Sequence, residues 1–347
     1  MKFIAGLLFF ISLLLFSSVF ISPEVFPYVG LLPFFIPIIL LANFFFLAIL
    51  TLAWRRLAFV PLLTLVIGYK FLLISFQFHP RNEEAVGLKV LTYNAHGFFY
   101  KKDTPPEGEP NVFNWLADHP ADVKVVQEFY QDYTSASRNA IKIIGKNGEY
   151  EHFYHIVEGN EKKRSYGMVI FSKYPIVNEG VVFDNSKSNG TIFADIQVGS
   201  DTVRIYNTHL ESMAIEAESL DNYEQAKLVY RQTLGKLHRG SLARAQQLSI
   251  LYEHLSNSPH PVILMGDMNE IPYSHAYFLL SQKLVNAFEK AGRGFEFTYN
   301  RVLFFLRIDH IFADPDLVPL HFNTHREVDY SDHYPVTATF TWEGFRE

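Results

Sequence analysis

Apolar residues are spread along this chain in two regimes. From residue 1 to 78 they form three long runs, at about 3–21, 28–54 and 57–78, and the only charged residues there are Lys2, Glu24, Arg55, Arg56 and Lys70. A helix crosses the hydrocarbon core of a bilayer with about 20 apolar residues. Each run therefore predicts a transmembrane helix, and residues 1–80 predict a membrane anchor of three such helices. The stretch Ile21-Ser22-Pro23-Glu24 lacks the small-residue pattern of a cleavage site, which favours an anchor over a removed signal peptide. From Val86 the regime changes. Short runs rich in Val, Ile, Tyr and Phe at 88–93, 123–127, 167–172, 191–196, 202–206, 262–265, 308–312 and 336–342 predict strands. Helical patterns fall at 112–118, about 241–255 and 273–282. Strands outnumber helices and several follow one another directly. That order predicts one α+β domain over residues 86–347, with two packed sheets and helices outside.

The basic residues orient the anchor. Lys2 precedes the first run and Arg55-Arg56 lie in the second connection, whereas the first connection holds Glu24 and no Lys or Arg. By the positive-inside bias the N-terminus is cytoplasmic, and three crossings put the rest of the chain outside. Arg81 lies on the outer side but is followed by Glu83 and Glu84. Lys70, inside the third run, reads as a side chain snorkelling towards the headgroups, with contact to a lipid phosphate as its functional alternative. From Val86 onward the chain has 25 basic against 33 acidic residues, a net of about −8. A general nucleic-acid binder would show a basic face. The turn Lys162-Lys163-Arg164 is the candidate for a phosphate-attracting rim, and its plainer reading is a solvated loop tip. The segment 101–110 reads as a Pro- and Gly-rich loop, and 211–239 as a helical insertion beside the site. The absence of cysteine excludes disulfides, thiolate nucleophiles and Cys-ligated metal.

The candidate chemistry lies where the strand-like runs end. Polar clusters occur there in the order Asn94, Gln127-Glu128, Asn207-Thr208-His209, Gly266-Asp267-Met268-Asn269, Asp309-His310 and Ser331-Asp332-His333. Glu128 beside Asn94 makes an oxygen ligand pair for Mg²⁺, with Mn²⁺ as its substitute. Asp332 can bind the metal while His333 faces a phosphate. Asp267 can orient or deprotonate a water, and Asn269 can donate to a phosphoryl oxygen without adding charge. Asp309, in the middle of its run, can hold His333 in one tautomer, and strand alternation then turns His310 away. His209 can donate to a phosphoryl oxygen. No His-rich zinc spacing is present.

The ordered set N…QE…NTHL…GDxN…DH…SDHxP resembles the endonuclease/exonuclease/phosphatase superfamily, and the resemblance covers the chain from about Leu88 to Trp342. It implies the DNase I-like fold, a four-layered α/β/β/α sandwich. It implies Glu128 as the principal Mg²⁺ ligand with Asn94 and Asp332 near the metal. Asp267 would then position the attacking water, Asn269 contact the phosphate, His209 and His333 stabilise phosphoryl charge, and Asp309 orient His333. One departure is His96, two residues after Asn94, where the abasic-site endonuclease branch carries Asp; His96 stands open between a substrate contact and a loop residue. The anchor makes the architecture similar to the bacterial glycopeptide-resistance phosphatases, which implies a bacterial inner or cell membrane, the lipid bilayer as partner, and a phosphorylated lipid or lipid pyrophosphate as substrate at its outer face. The alternatives are a membrane-anchored nuclease acting on extracellular DNA or RNA, and a catalytically dead binding protein. No obligate protein partner is implied.

Overall fold

The computed structural model describes residues 1–98, 111–185, 189–212, 223–301 and 306–345, the side chains of 147 and 223–234 excepted. The expected loop at 101–110 and the first part of the expected insertion, 213–222, lie outside them. The chain forms two compact units. The first comprises Met1–Phe76, Met213–Gln246 and Ile271–Gln282; the second comprises Gln77–Ser212, Gln247–Glu270 and Lys283–Glu347. The first unit is thus wider than the expected anchor of residues 1–80. Tyr273 and Phe278, far along the chain, pack on the cluster of Leu15, Phe16, Val19, Ile36, Ile39, Leu40 and Phe71.

The three apolar runs of the first unit do not make three equal spans. The first is a helix of 17 residues, Lys2–Ser18, short for a crossing. The second is continuous over Pro27–Leu52, 26 residues, and among the described residues it is the one helix long and apolar enough to cross by itself. The third is broken: Arg56–Ile67 and Tyr69–Ser75 meet at a bend of 58°. Gly68 sits at that break, where an added Cβ would meet the Phe16 ring at 2.7 Å. Lys70 is exposed just beyond it. Buried Asn43 donates to Ser12 Oγ at 3.0 Å, tying the first two helices together. Large apolar side chains face outward along all three, among them Phe3 at 79%, Leu52 at 81% and Trp54 at 95% exposure.

The second unit is a sandwich of two six-stranded sheets. Its strands are β1 (Leu88–Asn94), β2 (Val123–Asp132), β3 (Glu151–Gly159), β4 (Arg164–Ser172), β5 (Ile176–Asp184), β6 (Gly190–Val198), β7 (Asp201–His209), β8 (Val262–Asp267), β9 (Val285–Asn286), β10 (Asp309–Ala313), β11 (Val318–Thr324) and β12 (Val336–Thr341). One sheet has the order β11-β12-β1-β2-β4-β3, the other β9-β10-β8-β7-β6-β5. The predicted strands are all present. Four more are edge strands: β3, β5 and β11, which are half-exposed and weakly patterned, and β9, which is two residues long. Asp309 opens β10 rather than lying in its middle. Between the sheets lies a core of Leu88, Val90, Val125, Ile170, Ile192, Ile205, Met265 and Ile311. Helices Val112–Asp118 and Ala140–Ile144 cover the outer face of the first sheet through Val112, Leu116, Ala140 and Ile144. Helix Tyr223–Ser256 joins the expected insertion to the expected helix at 241–255. Its His254 packs on Phe193 and Tyr206 of the other sheet.

Each sheet has one parallel pair at its centre, β1 with β2 and β7 with β8. Register sets Asn94 opposite Gln127 in one and His209 opposite Asp267 in the other. The flanking antiparallel strands bring their starts to the same edge, so Asp309 pairs with Asp267 and Val336 with Thr92. All the predicted clusters therefore end on one edge of the sandwich, and the turn at Gly199-Ser200 between β6 and β7 lies at the other. Gly266 is required within β8: its φ is +144°, and a Cβ there would stand 1.9 Å from the Thr208 carbonyl oxygen.

The sheets are also joined by polar side chains. Gln127 Nε2 donates to Asn207 Oδ1 at 2.7 Å and to Thr92 Oγ1 at 3.1 Å. Asn207 Nδ2 donates back across the interface to the carbonyls of Val126 and Val169, at 3.0 and 2.9 Å. A buried partner left unsatisfied costs about 1–3 kcal/mol. Replacing Asn207 by Ala strands two carbonyls and one amide, and we expect a loss of about 2–4 kcal/mol, read by chemical denaturation of the purified protein against wild type.

Candidate active site

The site is assembled from backbone geometry as much as from side chains. Glu128 sits in a bulge of β2, where Val126 pairs with Val169 and Phe129 with Gly167. Its φ is +49°, a left-handed conformation that few non-glycine residues adopt. The bulge swings the carboxylate out of the strand alternation and over the edge. His96, Phe98 and Asn269 share the left-handed conformation. Among the described residues, four of the six non-glycine residues with positive φ thus lie at this one edge, the clustering expected where strain serves a site.

Asn94 links two carboxylates: its Nδ2 donates to Glu128 Oε1 at 3.2 Å and to Asp267 Oδ2 at 3.0 Å. Its Oδ1 accepts from the His96 backbone N–H at 3.1 Å, which turns the oxygen expected on a metal towards the chain. Glu128 Oε2 accepts from the Tyr166 hydroxyl at 2.6 Å. His209 Nε2 stands 3.8 Å from Glu128 Oε1 and 3.7 Å from Asp267 Oδ2. Burial works against the Glu128 carboxylate, but His209, the Tyr166 hydroxyl, His96 and the Asn94 amide together hold its pKa below the ordinary glutamate value. It is an anion ready for a cation.

Asp309 and His333 pair as expected, with Asp309 Oδ2 and His333 Nδ1 at 2.8 Å. His310 points away, its Nε2 against the Glu270 carbonyl at 2.8 Å. The hydroxyl of Thr298 accepts the backbone N–H groups of Ile308 and Asp309, both at 3.1 Å, and so fixes the strand start that carries the carboxylate. The Tyr299 ring packs edge-on against His333. His333 Nε2 then faces Asp267 Oδ2 at 3.6 Å. Burial disfavours the imidazolium, yet Asp309 and Asp267 outweigh it and raise the pKa of His333 to about 10. Burial likewise raises the pKa of Asp267, opposed by His333, His209 and Asn94. Asn269 is held by its backbone N–H to Asp267 Oδ1 at 2.9 Å and by its Nδ2 to the Leu210 carbonyl at 3.1 Å. Asp332 Oδ1 lies 3.5 Å from His96 Nδ1, and Ser331 Oγ donates to the Asn94 carbonyl at 2.8 Å, pinning that loop to β1.

The structure thus brings Asn94, Glu128, His209, Asp267, Asn269, Asp309, Asp332 and His333 together. Sequence reasoning passed over Tyr166, which meets the site only through the register of β4 on β2, and Thr298 and Tyr299, which lie outside the strands. It gave no role to Gln127 and Asn207. The Lys162-Lys163-Arg164 turn is partly neutralised, since Arg164 Nε donates to Asp132 Oδ2 at 3.0 Å. Among the described residues, Asp267, Asp309 and His333 converge closely enough to hold an ion. Asp309 Oδ2 is bonded to His333 Nδ1 at 2.8 Å, and His333 Nε2 faces Asp267 Oδ2 at 3.6 Å, so these three also form a relay. Glu128 and Asp332 supply hard anionic oxygens with the His96 imidazole between them, a donor set that fits a divalent ion.

The profile of the Endonuclease/Exonuclease/phosphatase family matches residues 91–333, a span that holds every residue of the site. The chain belongs to the endonuclease/exonuclease/phosphatase family. It is accordingly a hydrolase of phosphoester bonds. A second profile, described as a domain of unknown function, matches residues 1–74. Among solved structures, a family member from Beutenbergia cavernae has a TM-score of 0.53 at 18% identity, with 75% of this chain and 73% of that one covered. A conserved protein of unknown function from Enterococcus faecalis has a TM-score of 0.51 at 15% identity over 73% of this chain and 99% of that one. A family protein from Leptotrichia buccalis has a TM-score of 0.51 at 16% identity over 74% and 100%. At these identities the likeness concerns the α+β sheet sandwich. A search of curated proteins gave no match.

The relay has a pH signature. A histidine whose folded pKa exceeds its unfolded value of about 6.5 adds stability in full below that value and loses it as pH rises through the folded pKa. For His333 the loss runs up to about pH 10. Asp309→Asn removes a charge that favours the imidazolium, so the loss should move to lower pH. Melting temperatures of wild type and variant between about pH 6 and pH 10 check this, and superimposable profiles would refute it.

Proposed function

We propose that the protein is a membrane-anchored, divalent-metal-dependent phosphoesterase that hydrolyses a lipid-linked phosphate ester or pyrophosphate at the outer face of a bacterial membrane. One observation carries the lipid reading: a phosphoesterase site shares its chain with N-terminal helices that turn large apolar side chains outward, from Phe3 to Trp54. The most apolar 18-residue window of Pro27–Leu52 is 28% buried, which a core helix would not be. The three-span reading then takes Lys2–Ser18 as a short crossing and the pair bent at Gly68 as a broken one. An enzyme held at a bilayer meets lipids at high effective concentration. The net charge of about −8 from Val86 onward and the Arg164–Asp132 pair both weigh against a polyanion groove.

In this reading Glu128 and Asp332 hold Mg²⁺, with Asn94 keeping Glu128 and Asp267 in place. The ion, when bound, neutralises phosphoryl oxygens. Asp267, with a proton affinity raised by burial, takes the proton of the attacking water as the new oxygen–phosphorus bond forms and the bond to the leaving oxygen breaks. His333, kept protonated by Asp309, and His209 donate to the oxygens on which charge grows. Asn269 has one amide N–H left for a phosphoryl oxygen after its bond to Leu210.

Two measurements test the reading. Asp267→Asn, which keeps the size of the buried side chain, should lower kcat by roughly 10²–10⁴-fold in protein that is still folded by its melting transition; full activity would remove Asp267 from the chemistry. Detergent-solubilised protein assayed on polyprenyl pyrophosphate, phospholipid, DNA and RNA should turn over the lipids. Turnover of nucleic acid alone would replace the lipid phosphatase by an extracytoplasmic nuclease.

A further inference from the structure

Beside the point where the chain leaves the third apolar run, the second unit has a cleft of about 540 Å³. Small-ligand sites commonly enclose about 300–1,000 Å³. Every lining residue belongs to the second unit, and none belongs to the catalytic set. His79 Nε2 lies 2.9 Å from the Glu289 carbonyl, which fastens the segment that carries Arg81 and Glu83 into the lining. Arg326 donates to the Phe295 carbonyl at 3.0 Å and to Glu296 Oε1 at 3.1 Å, and its guanidinium stands 3.7 Å from the centre of the Phe297 ring. The carboxylates of the lining are each engaged: Glu296 with Arg326, Glu327 with His325 at 2.9 Å, and Glu83 with Arg81 at 3.8 Å. Arg293 lines the cleft and is exposed, and among the described residues its side chain has no hydrogen bond or ion pair. Both members of the Arg81–Glu83 pair are 72% exposed, and an ion pair so open to water holds its arginine only weakly. The lining thus offers one uncommitted guanidinium and a second that a better-placed anion can draw away.

Chain length ties the cleft to the end of that run. Phe78 is its last residue, and Arg81 follows within about 11 Å of extended chain. The short strand Phe76–Phe78 pairs with Arg293–Phe295, and paired strands lie about 4.8 Å apart. Both guanidiniums are therefore tethered where a crossing helix meets the headgroups, a layer about 5–8 Å deep beyond the hydrocarbon. Phe78 and Phe295, 83% and 67% exposed, turn apolar rings outward on the same two strands. Exposed rings beside a cationic cleft are the composition of a membrane contact. We infer that the cleft binds the phosphodiester headgroup of a membrane phospholipid, with Arg293 and Arg81 on its phosphate and Phe78 and Phe295 towards its acyl chains. The inference rests on the anchorage in the reading above and adds a lipid site apart from the catalytic one.

The test uses the full-length protein in detergent. Short-chain phosphatidylglycerol and inorganic phosphate are titrated separately, and native mass spectrometry counts the molecules bound. Arg293→Gln and the double variant Arg81→Gln/Arg293→Gln change exposed side chains, and melting temperatures check that both fold. Wild type should hold phosphatidylglycerol, and Arg293→Gln should weaken it about tenfold, the loss of one charge-assisted hydrogen bond. The double variant should weaken it further, while both variants should hydrolyse bis(p-nitrophenyl) phosphate at the wild-type rate. Lipid affinity indifferent to both variants would overturn the inference. Inorganic phosphate bound as tightly as the lipid would overturn it too, since the cleft would then be a site for free anions. Alkaline carbonate washing of membranes tests the anchorage separately. Release of the protein would overturn that reading, whereas retention together with lipid binding indifferent to Arg293 would overturn this inference alone.

Discussion

The pair Gln127–Asn207 fixes the relation of the two sheets. An apolar interface such as that of Val125, Ile170, Ile205 and Met265 is favourable but undirected, and two sheets held by it alone could settle in neighbouring registers with little penalty. Hydrogen bonds have direction, and these run both ways across the interface. Each partner stands beside a residue of the site: Gln127 precedes Glu128, and Asn207 comes two before His209. Fixing one pair of amides sets Glu128 against His209, and through the parallel pairs sets Asn94 against Asp267. A site drawn from six separate segments thus depends on a single polar crossing of the core.

What could be read from the sequence follows from burial. Strands β1, β2, β7 and β8 are covered on both faces, so they stand out as continuous apolar runs, and their polar ends mark the site. The Asp309–His333 pair was legible because strand alternation alone turns His310 away. Strands β3, β5 and β11 keep one flank in water and carry polar residues that hide them. The bulge at Glu128 leaves no compositional trace, since its left-handed backbone is imposed by pairing with β4. Tyr166 lies two places from any predicted site position in the adjoining strand and enters only once register is fixed. In the N-terminal region, run length was readable but continuity was not: a count of apolar residues does not see the break at Gly68, which follows from packing against Phe16.

The charge arrangement divides the site into two ends. At one end Glu128 is held ionised by His209, Tyr166, His96 and Asn94. At the other, Asp309 and Asp267 keep a fully buried imidazole protonated. Asn94 links Glu128 to Asp267, and Asp267 in turn faces His333. In the proposed reaction such an arrangement would serve both a cation and a proton donor, with side chains already held in place before substrate arrives. That is the state in which electrostatic catalysis needs little rearrangement.

The residues of the candidate site lie on one rim of the sandwich, and the turn between β6 and β7 lies on the opposite one. The turn at Gly199-Ser200 has open space about the glycine and sits a full strand length from His209. A fluorophore or an epitope inserted there would report on the folded enzyme without entering its catalytic field. The fold itself thereby provides a handle for following the protein.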